Sequence, residues 1–267
     1  MSTRTESRAH RAHRIRLPSG GRARVYRVGG VVHKTHAPDT ELDQLLTRLA
    51  VAADPALRTV FLSPISVYPT VADGRLVTSW PAARPVATDP ALAPWAAAGR
   101  LLARLHRVPP DDVPAARKLP PAGGPARVAR AVPAAGVVRK AWLTLPDWAR
   151  HEAPQPARAL VHGDWHLGQL VEHGRRSPEW RLIDIDDLGL GEPAWDLGRP
   201  AALFAVGLLH PRDWAEFLAA YRAGGGPAAD EAIDLAARAY TIHAAAHDHD
   251  PLFIDACRRI AGEEEPK

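Results

Sequence analysis

Two acidic loops, at residues 162–169 and 182–187, constrain this 267-residue chain more than any other feature. The first reads His162-Gly163-Asp164-Trp165-His166-Leu167-Gly168-Gln169. The second reads Leu182-Ile183-Asp184-Ile185-Asp186-Asp187, and Gly191-Glu192-Pro193-Ala194-Trp195-Asp196-Leu197 follows. In the first loop a carboxylate sits in a glycine-flanked turn, with an amide side chain five positions on. In the second, a carboxylate leaves the end of an apolar strand. Phosphoryl transfer wants this inventory: one Asp to orient a hydroxyl and accept its proton, and a side-chain oxygen with another carboxylate to hold Mg²⁺. Mg²⁺ takes hard oxygen ligands and keeps positions free for phosphate oxygens and water. Either loop alone would read as an ordinary surface connector. Two of them, linked and in order, argue against that reading.

These residues resemble the aminoglycoside phosphotransferase and choline kinase superfamily, relatives of the protein kinases. That family carries His-Gly-Asp-x-His-x-x-Asn, then Ile-Asp, then Asp-Leu about a dozen residues on. Here His162, Gly163, Asp164 and His166 match, with Ile183-Asp184 and Asp196-Leu197. The resemblance implies an α+β, bilobal protein-kinase-like fold. A small antiparallel-sheet N-lobe with one helix would precede a larger, mainly helical C-lobe. It makes Asp164 the catalytic base and Asp184 the main magnesium ligand. Asp196 becomes a structural support of the loop, alongside His162 and His166. Gln169 stands where the family has Asn, keeping the amide oxygen on a longer arm as the second metal ligand. The form His-Leu-Gly-Gln is similar to bacterial maltokinases and glucosamine kinases, which points to a sugar, aminosugar or aminoglycoside-like antibiotic as acceptor.

The N-terminal half supplies the other parts such an enzyme needs. Short strands are expected near Ile15–Leu17, Ala23–Val28 and Val31–Thr35, the last two joined by Gly29-Gly30. A helix from Asp39 or Thr40 to about Ala52 would carry Leu42, Leu45, Leu46 and Leu49 on one face. Val60–Val67 and Leu76–Trp80 read as two more strands around Asp73-Gly74. By resemblance, Lys34 on the third strand contacts the α- and β-phosphates of ATP and pairs with an acid on the following helix, Glu41 ahead of Asp43. Ser19, Gly20 and Gly21 offer backbone N–H groups to phosphates, and Ser79, Trp80 and Ala82 form the adenine-binding hinge. The division expected is a flexible basic tail at 1–13, an N-lobe at 14–80 and a C-lobe at 81–267.

The C-lobe is helical in pattern, with an apolar stripe of Leu101, Leu102 and Leu105 in Trp95–Arg107 and four helical stretches after Pro193. Its acceptor-facing candidates are Asp248, Asp250 and Asp255 for amines, and Trp195 as a surface for a sugar ring. Asp186 and Asp187 either hold a second Mg²⁺ or stay solvated. His243, His247 and His249 share a helix face but lack a clear fourth metal ligand.

Composition closes several alternatives. Cys257 is the single cysteine, so an intramolecular disulfide and a cysteine-based zinc site are excluded. No stretch has the apolar length to cross a membrane, and a cytoplasmic protein is expected. The net charge is +4, with Arg4, Arg8, Arg11, Arg14 and Arg16 crowded at the start. No aromatic residues interleave with them, so a solvated tail is preferred to a nucleic-acid contact. Two other readings stand beside the kinase: a nucleotide-binding pseudokinase scaffold, favoured by Gln169 and a short N-lobe, and a metal-dependent hydrolase with His162, Asp164 and His166 as alternating ligands.

Overall fold

The computed structural model describes residues 14–17, 23–87, 89, 92–156, 159–174 and 179–263. The candidate phosphate-loop residues Ser19, Gly20 and Gly21, and the basic segment 1–13, lie outside the described residues. Five strands form one antiparallel sheet in the order β1-β2-β3-β5-β4: β1 (Arg14–Leu17), β2 (Arg24–Val28), β3 (Val31–Thr35), β4 (Thr70–Ala72) and β5 (Arg75–Pro81). The β4–β5 hairpin turns on Asp73-Gly74, both with positive φ, as a tight hairpin between right-twisted strands requires. Helix α1 (Leu42–Ala52) buries Leu45, Leu49, Val51 and Ala52. Leu42, expected on that face, is exposed, because it opens the helix before the apolar stripe meets the core.

Val60–Val67 is not the strand its apolar run suggested. Val60, Phe61 and Leu62 are buried, but their partner is β9 (Glu179–Leu182), beyond the first acidic loop. Leu182 N–H donates to Val60 O at 2.8 Å, and Leu62 N–H donates to Leu182 O at 2.9 Å. A continuous apolar run satisfies burial in either setting, so periodicity could not choose between them. The consequence is direct backbone bonding between the N-terminal half and the segment carrying Asp184.

The second half begins at β6 (Arg84–Pro85) and α2 (Trp95–Arg107), which buries Leu101, Leu102 and Leu105 as the pattern predicted. Helices α3 (Gly124–Ala131) and α4 (Val137–Leu143) follow, then β7 (Ala159–Val161), β8 (Leu170–His173), β9 and β10 (Gly189–Gly191). β6-β8-β9 form one small sheet and β10-β7 another, so both acidic loops hang between short strands. The chain ends in α5 (Trp195–Ala205), α6 (Pro211–Ala223), α7 (Asp230–Asp248) and α8 (Pro251–Ile260). α5 lies close on α7 because Gly198 has no side chain: a Cβ there would meet the Ala236 backbone at 2.9 Å and the Tyr240 ring at 2.7 Å. Trp165 stacks on Phe217 at 5.2 Å and Trp95 meets the same ring edge-on at 5.9 Å, tying the first acidic loop to α2 and α6. The architecture is the α+β arrangement expected, a sheet with one helix followed by a mainly helical part. Among the described residues no helix is long and apolar enough to cross a membrane.

Candidate active site

The loop carrying Asp164 is held from beneath by a fully buried carboxylate. Asp196, in the first turn of α5, accepts hydrogen bonds from His162 N at 2.7 Å and from Gly163 N at 2.8 Å. His106 Nε2 lies 3.0 Å from Asp196 Oδ2, and His106 Nδ1 is 2.9 Å from the Tyr221 hydroxyl. Ala228 N–H donates to that hydroxyl at 3.2 Å. A carboxylate only accepts, so His106 donates from Nε2 and accepts at Nδ1 from Tyr221. Each polar group in the chain is thereby satisfied, as burial demands. His162, also fully buried, donates from Nε2 to Ile183 O at 2.8 Å, and Ile183 N–H donates to Gln169 O at 2.9 Å. The two acidic loops are bolted together through these bonds. Gly163 adopts φ +84, and a Cβ there would sit 2.3 Å from Asp187 O. Only glycine meets both conditions.

Lys34 and Asp184, 150 positions apart, meet at 2.6 Å. Lys34 Nζ also pairs with Asp186 at 2.8 Å. Burial alone would lower the lysine pKa, but Asp184 and Asp186 outweigh it and push the group up to about 12. Burial would likewise raise Asp186; Lys34 and His36 overcome that and hold it well below the usual carboxylate range. His36 is fully buried, 3.2 Å from Asp186 through Nδ1 and 2.9 Å from Thr78 Oγ1 through Nε2. Asp184 itself takes φ +63, a left-handed backbone that an Asp tolerates better than most residues.

This arrangement corrects the expected partner of Lys34. Glu41 stands just before α1 without a capping hydrogen bond from its side chain and accepts from Gln44, while Asp43 is exposed in the first turn. The lysine's acidic partners, Asp184 and Asp186, come from the second acidic loop instead. Helix α1 reaches the same loop by another residue: Arg48 Nε donates to Leu188 O at 2.9 Å.

Asp164 carries two guanidinium groups that the sequence reading missed. Arg199 Nη2 is 2.6 Å from Asp164 Oδ1, and Arg127 Nη1 pairs with the same oxygen. Arg127 also binds Asp187, which removes Asp187 from the solvated groups. Asp164 Oδ2 holds no hydrogen bond among the described residues. Arg199 had a signal available, lying three residues beyond Asp196 on the same helix. Arg127 had none, since it enters from α3 after a Pro/Gly-rich stretch.

Other candidates have different duties. Trp195 is 1% exposed, packed edge-on against Trp148 and Tyr240, so it offers no face to a sugar ring. Asp250 caps α8 by accepting from Leu252 N at 2.8 Å, Asp255 pairs with Arg258, and Asp248 pairs with His247 at 2.9 Å. In the expected hinge, Ser79 O accepts from Ile65 N and Ala82 N–H donates to Gly30 O. Trp80 is buried with Nε1 donating to Thr78 Oγ1, and Ser79 Oγ lies 2.9 Å from His33 Nδ1. Those polar groups are already engaged within the protein.

Gln169 is nearly buried, and its side-chain amide makes no hydrogen bond among the described residues. Asp184 Oδ2 is also without one. These two hard oxygens fit Mg²⁺, which needs only one or two protein donors when phosphate and water complete its shell. They do not amount to a self-sufficient metal cage: among the described residues there is no group of three or more His, Cys, Asp or Glu placed to hold a metal ion. The alternating ligands of the hydrolase reading therefore do not assemble. His162 Nε2 is spent on Ile183 O, and His166 Nδ1 accepts from Gly168 N at 3.0 Å.

Two imidazoles beside Asp164 make the fold sensitive to acid. Burial, then Arg199, lowers the His166 pKa from 6.5 to about 4. Burial, then Arg127 and Arg199, lowers His243 from 6.5 to about 4. Between these values the unfolded chain binds protons that the folded protein does not. Stability is therefore highest above pH 6.5 and is expected to fall as pH drops towards 4. Thermal melts across that range check this, and a His243→Gln variant is expected to flatten part of the decline. An unchanged slope would assign it to other groups.

The profile of the phosphotransferase enzyme family matches residues 14–240. No protein of curated function matches the chain. Among solved structures, a microcompartment-associated aminopropanol kinase is 18% identical, with a TM-score of 0.61 over 96% of this chain and 90% of its own. A macrolide 2′-phosphotransferase from Brachybacterium faecium is 19% identical, with a TM-score of 0.53 over 95% and 93%. A spectinomycin phosphotransferase in complex with ADP and spectinomycin is 14% identical, with a TM-score of 0.56 over 95% and 89%. At such identities the likeness shows the shared fold. The family match, spanning both the sheet and the two acidic loops, shows the rest: this chain belongs to the phosphotransferase enzyme family.

Proposed function

We propose that the protein transfers the γ-phosphoryl group of ATP to a hydroxyl group of a small molecule. The observation that carries this reading is the meeting of Lys34 with Asp184 at 2.6 Å, beside a loop that presents Asp164. Lys34 is the cation for the triphosphate. Asp184 and the Gln169 amide oxygen would hold Mg²⁺, which when bound neutralises phosphate charge. Asp164, its Oδ1 fixed by Arg199 and Arg127, accepts the hydroxyl proton at Oδ2 while that hydroxyl oxygen bonds to the γ-phosphorus and ADP leaves. Asp196 and His162 keep the loop in place and touch no substrate. The neighbour crystallised with ADP supports an adenine nucleotide as donor. A pseudokinase scaffold is disfavoured because lysine, base and metal carboxylate are all present and assembled.

The test is nucleotide binding and turnover with and without Mg²⁺. ADP release and acceptor-dependent transfer are expected to require Mg²⁺ and to vanish in Asp184→Ala, while the variant stays folded. Mg²⁺-independent turnover, or undiminished turnover in Asp184→Ala, rejects the reading. ATP binding without any phosphoryl transfer would favour the scaffold.

A further inference from the structure

Beside Asp164 a cavity of about 470 Å³ opens between the catalytic loop, α5 and the start of α6. Its walls include Trp95, Trp165, Leu203 and Leu209, and its polar lining includes His166, Arg199, His210 and Asp213. The polar lining is biased towards donors. Arg199 spends only Nη2 on Asp164 and lies over the Tyr240 ring at 5.5 Å, while its Nε and Nη1 have no hydrogen-bond partner among the described residues. His166 Nδ1 accepts from Gly168 N, and His210 Nδ1 accepts from Arg212 N at 3.2 Å. Both rings must then carry a proton on Nε2, a donor that no described residue accepts from. Asp213 is the single carboxylate in this lining, in the first turn of α6, where a helix N-terminus already favours it.

The charge balance around the base points the same way. Two guanidiniums share one oxygen of Asp164. When Asp164 takes up a proton, Arg199 loses its anionic partner, while Arg127 keeps Asp187. The acids that could have greeted an amine are occupied elsewhere: Asp187 by Arg127, Asp250 by its helix cap, Asp255 by Arg258. A polycationic acceptor would find little unspent negative charge here. An anion would find a guanidinium side chain 32% exposed and an imidazole N–H next to the reacting centre. Charge-assisted bonds from Arg are directional and strong.

We infer that the acceptor is an anionic alcohol, its hydroxyl close to a carboxylate or phosphate group that Arg199 holds. This rests on Asp164 being the base of the proposed reaction, and it names the acceptor class that the reaction uses. It differs from the sugar, aminosugar or aminoglycoside-like antibiotic that the form of the catalytic loop led one to expect.

Charge-matched acceptors separate the outcomes. The full-length protein with Mg²⁺ and ATP is assayed on D-glycerate against glycerol, D-gluconate against D-glucitol, and glucose 6-phosphate against glucose, with glucosamine and kanamycin as cations. Acids are expected to exceed their neutral partners at least tenfold in kcat/KM, and the hydroxy-acid and phosphate arms tell which anion is preferred. Arg199→Gln is expected to raise KM for the acid at least tenfold, with KM for ATP within twofold. It should narrow the acid-to-neutral ratio, with partial rescue in Arg199→Lys. A purely structural role for Arg199 would lower both partners equally. Transfer to neutral or cationic acceptors in preference to acids overturns the inference and leaves the proposed function standing. If no member turns over, binding decides: gluconate, glycerate or glucose 6-phosphate should stabilise the Mg²⁺–AMP-PNP complex thermally, and Arg199→Gln should abolish the shift. Absence of any such shift overturns the inference, whereas failure to bind Mg²⁺–ATP at all rejects the reading beneath it.

Discussion

Asp164→Asn is expected to lower kcat at least about a hundredfold, the order of magnitude that a positioned base contributes. Asparagine preserves the shape of the side chain and can still accept from Arg199, which lies 2.6 Å from Oδ1. It cannot take the hydroxyl proton. KM for ATP should therefore stay within about twofold, because Lys34 and Asp184 are untouched, and the melting curve should remain close to that of the parent protein. Steady-state kinetics with saturating ATP, alongside a thermal melt, read both arms. Near-parental turnover in a folded Asp164→Asn protein would remove Asp164 from the chemistry.

Asp196→Ala is expected to give the largest loss of stability. The substitution strips the acceptor from His162 N, Gly163 N and His106 Nε2 at one stroke, in a site that is 0% exposed. A buried donor left unsatisfied costs roughly 1–3 kcal/mol. Three of them make a destabilisation of about 3–5 kcal/mol plausible even after partial relaxation, out of a typical total of about 5–15 kcal/mol. Asp196→Asn keeps one acceptor oxygen and should fall between the two. Denaturant unfolding of the three proteins measures this. An Asp196→Ala midpoint equal to the parent's would mean that the loop is held by other contacts. Because the loop carries Asp164, activity should fall further than the loss of folded protein accounts for.

These two residues also show how legible the molecule was. Both stand in short motifs with fixed spacing, and each type has a narrow set of physical uses: a glycine with φ +84 beside an acid, and an acid opening a helix. Such local signals survive in sequence. So does the apolar stripe of α2, which a 3.6-residue period predicts and the core accepts. Val60–Val67 failed for the opposite reason. Its apolar run fits any buried setting, and its partner Leu182 lies over a hundred residues away. Trp195 failed likewise, because an aromatic residue beside a site motif packs a core as readily as it lines a cleft.

The partner of Lys34 is the sharpest case. Family resemblance offered Glu41, the residue immediately before α1, yet the lysine is buried against Asp184 and Asp186. Sequence could supply the acids but had no means to rank them, since pairing depends on which carboxylate is brought within 3 Å in a low-dielectric setting. Arg127 was invisible for the same reason: an arginine has no meaning until its partner is known. By itself, then, the sequence determined the fold class, the two acidic loops and the kind of chemistry they serve, all written in short-range patterns that the backbone enforces. Tertiary structure alone decided which charge meets which, and therefore what the cavity beside Asp164 will accept, because Coulomb energies depend on distance and burial and not on separation along the chain.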